Sequence, residues 1–362
     1  MKRLAWFISP HGRGHAARSA AIMAALRERD AGFAFELYTL VEQTFFAETL
    51  GPDFSYHAVE TDLGLIQDTP LEENVPATIQ RLDAMLPYDP VLLRSLAESV
   101  QQAGCRAVVC DIAPMGIRVA QEAGVPAILV ENFLWDWIYE GYRDEHPEIQ
   151  PAVDAMRAMF ARADFHIQTE PIVDVVDCDF TSEVVSRKPR RTRAETRTAL
   201  GLDPEERVVL VSGGIPPDGG LAERLEAMCD VRVVVTGLGD TIATRSGLVC
   251  LPYASGFYHP DLVAASDAVV GKLGYSTVAE VYHAGVPYAY IARERFREST
   301  SLEAFVQSEM PCRRIAPREY LEGEWVSGLP ELAALPAMAR DIANGADQIA
   351  EFLDSTVLAD AG

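Results

Sequence analysis

Two histidines, His11 and His15, stand in the loop SPHGRGHAAR between the apolar run LAWFIS and the helical pattern SAAIMAALRERD. Its two glycines suggest a phosphate turn. A dinucleotide-binding fingerprint, however, needs a third glycine and an acid at the end of the next strand; GRGHAAR lacks the first and FELYTL ends without the second. Nicotinamide and flavin cofactors are therefore not expected. An imidazole at a helix start has a different use: the positive end of the helix dipole disfavours imidazolium, so His15 would stay neutral and able to accept a proton. Asp111, at the carboxyl end of the strand RAVVC, could orient that ring and stabilise its charged form after proton transfer, the logic of a His–Asp dyad. The alternative is a histidine capping its own loop and an aspartate capping the next helix.

In the second half, GKLGYSTVAEV follows the strand DAVV. It is not a Walker A loop, since Lys272 precedes Leu273 where GxxxxGK[ST] needs Ser or Thr. What remains is a glycine-bearing turn into a helix at Ser276 and Thr277, whose free amides and dipole make an anion site suited to a diphosphate. Lys272 could add its charge. Glu280, one turn further on, could accept hydrogen bonds from ribose hydroxyls. VSGGIPPDGG offers a second loop, Ser212 to Gly214, for the same phosphates, or else a plain glycine-containing turn. The acidic triplet Asp177–Asp179 matches a DxD metal motif in type only; it lies in an irregular stretch, and no metal site is expected. ENFLWDWIYEGY concentrates Trp135, Trp137, Tyr139 and Tyr142, which could form an apolar platform for an acceptor or pack inside the protein.

These residues need elements to hold them. Short apolar runs alternate with amphipathic patterns, first through LAWFIS, FAFELYTL, RAVVCD and VPAILVEN, then through RVVLVSGG, VRVVVTG, LVCLPY, DAVVGK and VPYAYIA. Strands buried on both faces read as such runs, with helices as crossovers. The expectation is an α/β chain with two Rossmann-like domains facing across a cleft: an N-terminal acceptor domain over 1–168, an interdomain segment over 169–206, a C-terminal donor domain over 207–340, and a C-terminal helix over 341–362 that could pack back on the N-terminal domain. Six basic residues crowd between Arg187 and Arg197, read as a solvated interdomain face.

The 362 residues, 49% of them hydrophobic, are enough for two cores. A formal charge of −23 repels nucleic acid and anionic lipid. Six scattered cysteines form no CxxC pair and read as reduced thiols of a cytoplasmic protein. The N-terminus lacks a cleavage-like site, and no stretch approaches the ~20 apolar residues of a membrane span.

Three segments carry a family resemblance: GHAAR, the run DIAPMGIRVAQEAGVPAILVENFLWDWIYEGY, and PDLVAASDAVVGKLGYSTVAEVYHAGVPYAYIARERFRES. Over roughly Leu4 to Phe305 the sequence resembles GT-B glycosyltransferases, in particular the glycosyltransferase-like portion of plant L-arabinokinases and, more distantly, the bacterial N-acetylglucosaminyltransferase of peptidoglycan lipid intermediates. The sugar-kinase domain of arabinokinases lies beyond the resemblance, so kinase activity is not expected. The resemblance implies a nucleotide-sugar donor, with UDP-sugars favoured, held by the second domain, and a small-molecule acceptor held by the first. It matches His15 to the catalytic base with Asp111 as partner. It matches Gly14, Ser212, Gly213, Gly214, Lys272, Gly274, Tyr275, Ser276, Thr277 and Glu280 to nucleotide-sugar binding, and Arg293, Glu294 and Glu298 to the donor-sugar region, where this sequence departs from the Asp–Gln pair common in plant-type enzymes. His11, Trp135 and Trp137 are acceptor-side candidates. An inverting, metal-independent transfer with no cofactor beyond the donor is the expected mechanism. The alternatives are a nucleotide-sugar epimerase or hydrolase on the same fold, which labelled nucleotide sugars without acceptor would reveal, and a non-catalytic nucleotide-sugar sensor, which domain closure on donor binding without turnover would favour.

Overall fold

Runs such as Leu4–Ile8, Ala107–Asp111 and Ala127–Val130 are excluded from water on both faces, which requires helices above and below a parallel sheet. The computed structural model describes residues 2–69, 71–213 and 220–358. Sixteen strands are described: β1 (Lys2–Ile8), β2 (Phe33–Thr39), β3 (Ser55–Ala58), β4 (Gln67–Thr69), β5 (Glu72–Glu73), β6 (Ala107–Asp111), β7 (Ala127–Glu131), β8 (Phe165–Thr169), β9 (Phe180–Ser182), β10 (Val208–Ser212), β11 (Arg232–Thr236), β12 (Ala243–Arg245), β13 (Leu248–Leu251), β14 (Ala268–Lys272), β15 (Tyr288–Ile291) and β16 (Cys312–Arg314). One seven-stranded sheet has the order β3-β2-β1-β6-β7-β8-β9, the other β12-β13-β11-β10-β14-β15-β16, and β4-β5 form a small ribbon. Every pairing in the first sheet is parallel. In the second, β12 alone runs antiparallel to its neighbour.

The described residues divide into two compact units. One takes them from Met1–Arg187, Arg295–Ser301 and Ala343–Gly362, the other from Lys188–Glu294 and Leu302–Ile342. In the first unit the helix Gly14–Arg29 follows β1 and buries an alanine-rich face, where small side chains let it lie close to the sheet. β9 adds an edge strand from within the stretch read as interdomain. The basic run between Arg187 and Arg197 is used within the second unit: Arg193 and Arg197 donate to the carbonyls of Ser266 and Ala265 and pair with Asp267, closing the end of the helix His259–Ala265. Asp179 of the acidic triplet accepts from the backbone N–H of His166 at 2.7 Å.

The helix Gly345–Phe352 lies against Gly14–Arg29 and against the chain just after β9. Asn344 caps it, accepting from the N–H groups of Ala346 and Ser186 and donating to the Ser186 carbonyl. Phe352 stacks on Phe180 at 4.8 Å. Gly345 permits the approach, since a Cβ there would lie 1.9 Å from the carbonyl oxygen of Glu183. Gly345→Ala should destabilise the first unit by about 1–3 kcal/mol through overpacking against backbone, read as a lower first-unit transition with the second-unit transition unmoved in calorimetry.

Candidate active site

In the first sheet the strand order reverses at β1: β2 and β3 lie on one side, β6 to β9 on the other. Open parallel sheets bind ligands at the carboxyl ends of the strands flanking such a point. His15, second residue of Gly14–Arg29, and Asp111, last residue of β6, meet there, with Nδ1 3.0 Å from Oδ1 and both residues buried. The imidazole N–H at Nδ1 donates to the carboxylate, so Nε2 carries the lone pair. Asp111 does not cap the following helix, whose N-cap is Ala113.

Arg18, one turn along the same helix, grips Asp111 with two nitrogens, Nε to Oδ2 at 3.0 Å and Nη2 to Oδ1 at 2.5 Å, while the Ser19 hydroxyl donates to Oδ2. Burial pushes the Asp111 pKa up, but the Arg18 charge and the hydrogen bonds from His15 and Arg18 outweigh it and hold the carboxyl below its ordinary value. Arg18 Nη1 donates to Asn132 at 2.6 Å, and the Asn132 amide donates to Glu298 at 2.8 Å. The donor-sugar candidate Glu298 is thus buried in the first unit, in contact with the network that holds the dyad. Directly after Asp111, Ile112 has a positive φ of 45°, a strained conformation for a β-branched residue.

The acceptor-side candidates form an aromatic wall. His11 meets Trp135 edge-on at 5.1 Å and accepts from the Leu65 N–H, and His15 meets Phe133 edge-on at 5.7 Å. Trp135 is fully buried, stacked on Tyr139, and Trp137 lies under the guanidinium of Arg297 at 3.8 Å. Behind this wall stands Asp62, which the sequence pattern does not single out; it accepts from Ser9 at 2.8 Å and from the Trp135 indole at 3.1 Å. Burial drives its pKa up to about 8, against the pull of those two bonds. Nothing in the local sequence marks it, because its partners lie 53 and 73 residues away.

The second sheet reverses at β10, with β11 and β13 on one side and β14 on the other. Ser212, the last residue of β10, is registered with Gly271 of β14. A Cβ on Gly271 would touch Ser212 at 3.4 Å and Thr277 at 3.8 Å, so these three residues converge. The helix Tyr275–Ala284 has Gly274 as its N-cap, which has no side chain to cap it. Gly213 has a φ of 88° and donates to Thr236 at 3.1 Å; Gly214 lies outside the described residues. A further residue that the sequence pattern does not single out is His259, at the start of the helix His259–Ala265. Its Nε2 lies 2.8 Å from the Ser212 hydroxyl and its Nδ1 2.5 Å from Glu280 Oε2. Glu280 is buried, Lys272 ends β14, and Glu294 is 4.0 Å from Arg314. Arg293 and Glu294 belong to the second unit.

Two Rossmann-like sheets, each with its polar cluster at the reversal of strand order, make up the GT-B glycosyltransferase fold. Solved structures share it over most of the chain. The glycosyltransferase VinC in complex with DTDP matches at a TM-score of 0.62 and 14% identity, covering 98% of this chain and 95% of that one. Phytolacca americana UGT2, complexed with UDP-2fluoro-glucose and pterostilbene, matches at 0.61 and 16% over 92% and 91%. MurG of Acinetobacter baumannii matches at 0.53 and 15% over 98% and 100%. In sequence, the chain is 27% identical over 364 residues to L-arabinokinase of Arabidopsis thaliana, covering 98% of this chain and 34% of that protein. It therefore spans about a third of the length of the curated relative it matches. No protein-family model matches the chain. Among the described residues, no helix is long and apolar enough to cross a membrane.

Two stability measurements test the buried charges. Arg18→Met takes the guanidinium from the buried Asp111, leaving it only His15 and Ser19, and should cost about 3–5 kcal/mol in denaturant unfolding of the first unit. Asp62 gives a pH signature. Its native pKa of about 8 exceeds the unfolded value near 3.9, so between those limits the native state holds a proton that the unfolded state has released. Stability from this group is full below about pH 4, falls by about 1.4 kcal/mol per pH unit as pH rises, and levels off above about pH 8. Measured from pH 5 to 8, Asp62→Asn should lack that downward slope relative to wild type.

Proposed function

We propose that the chain transfers a glycosyl group from a nucleoside diphosphate sugar to a hydroxyl of a small-molecule acceptor, with inversion and without a metal ion. The observation that carries this reading is the buried His15–Asp111 pair at the strand-order reversal of a GT-B fold. With Nδ1–H held by Asp111, His15 Nε2 takes the acceptor proton as the oxygen attacks the anomeric carbon. The bond from that carbon to the diphosphate oxygen breaks with its electron pair, and the diphosphate leaves. Within the second unit, the groups suited to a diphosphate are the N–H groups at the start of the helix Tyr275–Ala284, Ser212 and Lys272. Donors aimed at a leaving group each contribute on the order of 3 kcal/mol, and a positioned general base roughly a hundred- to ten-thousandfold in rate.

A UDP-sugar is the donor best supported, since the structure of Phytolacca americana UGT2 carries UDP-2fluoro-glucose on this fold. The metal-independent form is supported by Asp179, whose carboxylate is engaged with the His166 backbone. A cytoplasmic location belongs to the same reading and is supported by six free thiols. Because Asp111 is satisfied by Arg18 and Ser19 as well as by His15, truncating His15 removes the base without stranding the carboxylate. His15→Ala should lower kcat by about 10²- to 10⁴-fold while donor affinity stays within a few-fold, measured by turnover and by calorimetric titration with the nucleotide sugar. Full turnover in this variant would reject the base assignment.

A further inference from the structure

His259 links a buried carboxylate to the hydroxyl that ends β10. Its two contacts, to Glu280 at 2.5 Å and to Ser212 at 2.8 Å, fix what each ring nitrogen can do. Nδ1 faces a carboxylate, so it carries the proton in both charge states. Nε2 is then an acceptor in the neutral ring and a donor in imidazolium. In the neutral state the Ser212 O–H must point at Nε2, and the serine oxygen presents only lone pairs elsewhere. In the charged state Nε2–H donates to Ser212 Oγ, and the serine O–H turns outward as a donor. An arriving phosphate oxygen needs a donor.

We infer that His259 is a positioning residue through which a nucleoside diphosphate sugar is bound together with one proton, the diphosphate selecting the imidazolium form that turns the Ser212 hydroxyl toward it. The inference rests on the proposal that the diphosphate is held at Ser212 and the start of the helix Tyr275–Ala284. The proton comes from solvent and returns there when the nucleotide dissociates; no covalent bond changes.

Charged groups approach His259 from several elements. The helix Tyr275–Ala284 contributes Glu280, and β10 contributes only Ser212 as a polar side chain. On its own helix, Asp261 accepts from the backbone N–H groups of Arg190 and Arg191, while the Arg190 guanidinium lies over Tyr258 at 4.5 Å. From the helix Arg193–Leu200, Arg193 and Arg197 are bound to Asp267 and to carbonyls at the far end of the His259 helix, and Glu195 accepts from Thr192. Lys272 follows Gly271, the register partner of Ser212; burial and the Arg293 charge lower its pKa, so the His259→Gln variant and the imidazole NMR readout are what separate its proton from that of the ring.

The test is calorimetric titration of the full chain with UDP-glucose and with dTDP-glucose between pH 5.5 and 8.5, in buffers of different ionisation enthalpy. Both probes are phosphodiesters, so neither changes charge in this range. Wild type should take up a proton, at most one per nucleotide, and lose up to about tenfold in affinity per pH unit as pH rises across this range. His259→Gln, which can donate to Glu280 and accept from Ser212 as the neutral ring does, should show neither the uptake nor the slope and should bind with the weak affinity wild type has at pH 8.5. Imidazole NMR of wild type gives the same readout without a variant: one histidine should gain a proton when the nucleotide is added at pH 7.5. Binding with no proton uptake, or a slope that survives in His259→Gln, overturns the inference and leaves the donor site standing. No binding of either nucleotide at any pH overturns the donor reading, and the inference falls with it.

Discussion

A carboxylate removed from water at the end of β6 is held ionised above all by a guanidinium, and Arg18 meets it with two nitrogens. That pair organises its surroundings. It ties the helix Gly14–Arg29 to the sheet at the turn that presents His15, and through Asn132 it reaches Glu298. Because the charge of Asp111 is already met by Arg18, its service to His15 is orientation and choice of tautomer: Nδ1 is occupied and Nε2 is the atom left for chemistry. The strained Ile112 belongs to the same constraint, since the chain must turn sharply right after Asp111 while Ile8 bridges to Ile112.

The two sheets use one topological device for opposite tasks. At the reversal of the first, the rings of Phe133 and Trp135 lie against His15, and the dyad is buried. At the reversal of the second, the residues are small: Gly271, Ser212, Gly213 and Gly274, with the Ser212 hydroxyl on His259 and the Gly213 N–H on Thr236. Small residues there let a ligand approach the backbone, and the helix start supplies donors without a side chain of its own. The bulk and polarity of side chains at equivalent places thus differ between the two sheets, as the proposed division into proton handling and anion handling requires.

The architecture is legible because strands buried on both faces leave continuous apolar runs; β6, β7, β10, β11, β14 and β15 lie within runs visible in the sequence, and β1 does so from Leu4 on. The edges are not. β3 (SYHA), β9 (FTS) and β16 (CRR) are short, polar and partly exposed, so nothing in their composition separates them from loops. His15 and Asp111 stand out because each lies in the stretch that joins a buried strand to its crossover helix. Their partners do not, since an arginine in a helix looks like any surface arginine until its acid, 93 residues away, is brought to it. The spacing of Arg18 one turn after His15 is the available signal. His259 is hidden for the same reason: its meaning comes from Ser212 and Glu280, which belong to a different strand and a different helix.

The overall charge of −23 sets a condition on any anionic substrate. The long-range field opposes a diphosphate, although at about 0.1 M salt that opposition is screened beyond roughly 10 Å. Attraction must then be local. The densest basic run does not supply it, because Arg193 and Arg197 are committed to Asp267 and to the end of a helix. A permanent cation next to Glu280 would pair with that carboxylate and be neutralised whether or not a ligand were present. An imidazole in the same place keeps the neutral site satisfied and becomes a cation when an anion arrives to favour it. In a strongly acidic protein, a charge that forms with its ligand is an economical way to recognise phosphate, and it requires a histidine held between a carboxylate and a hydroxyl.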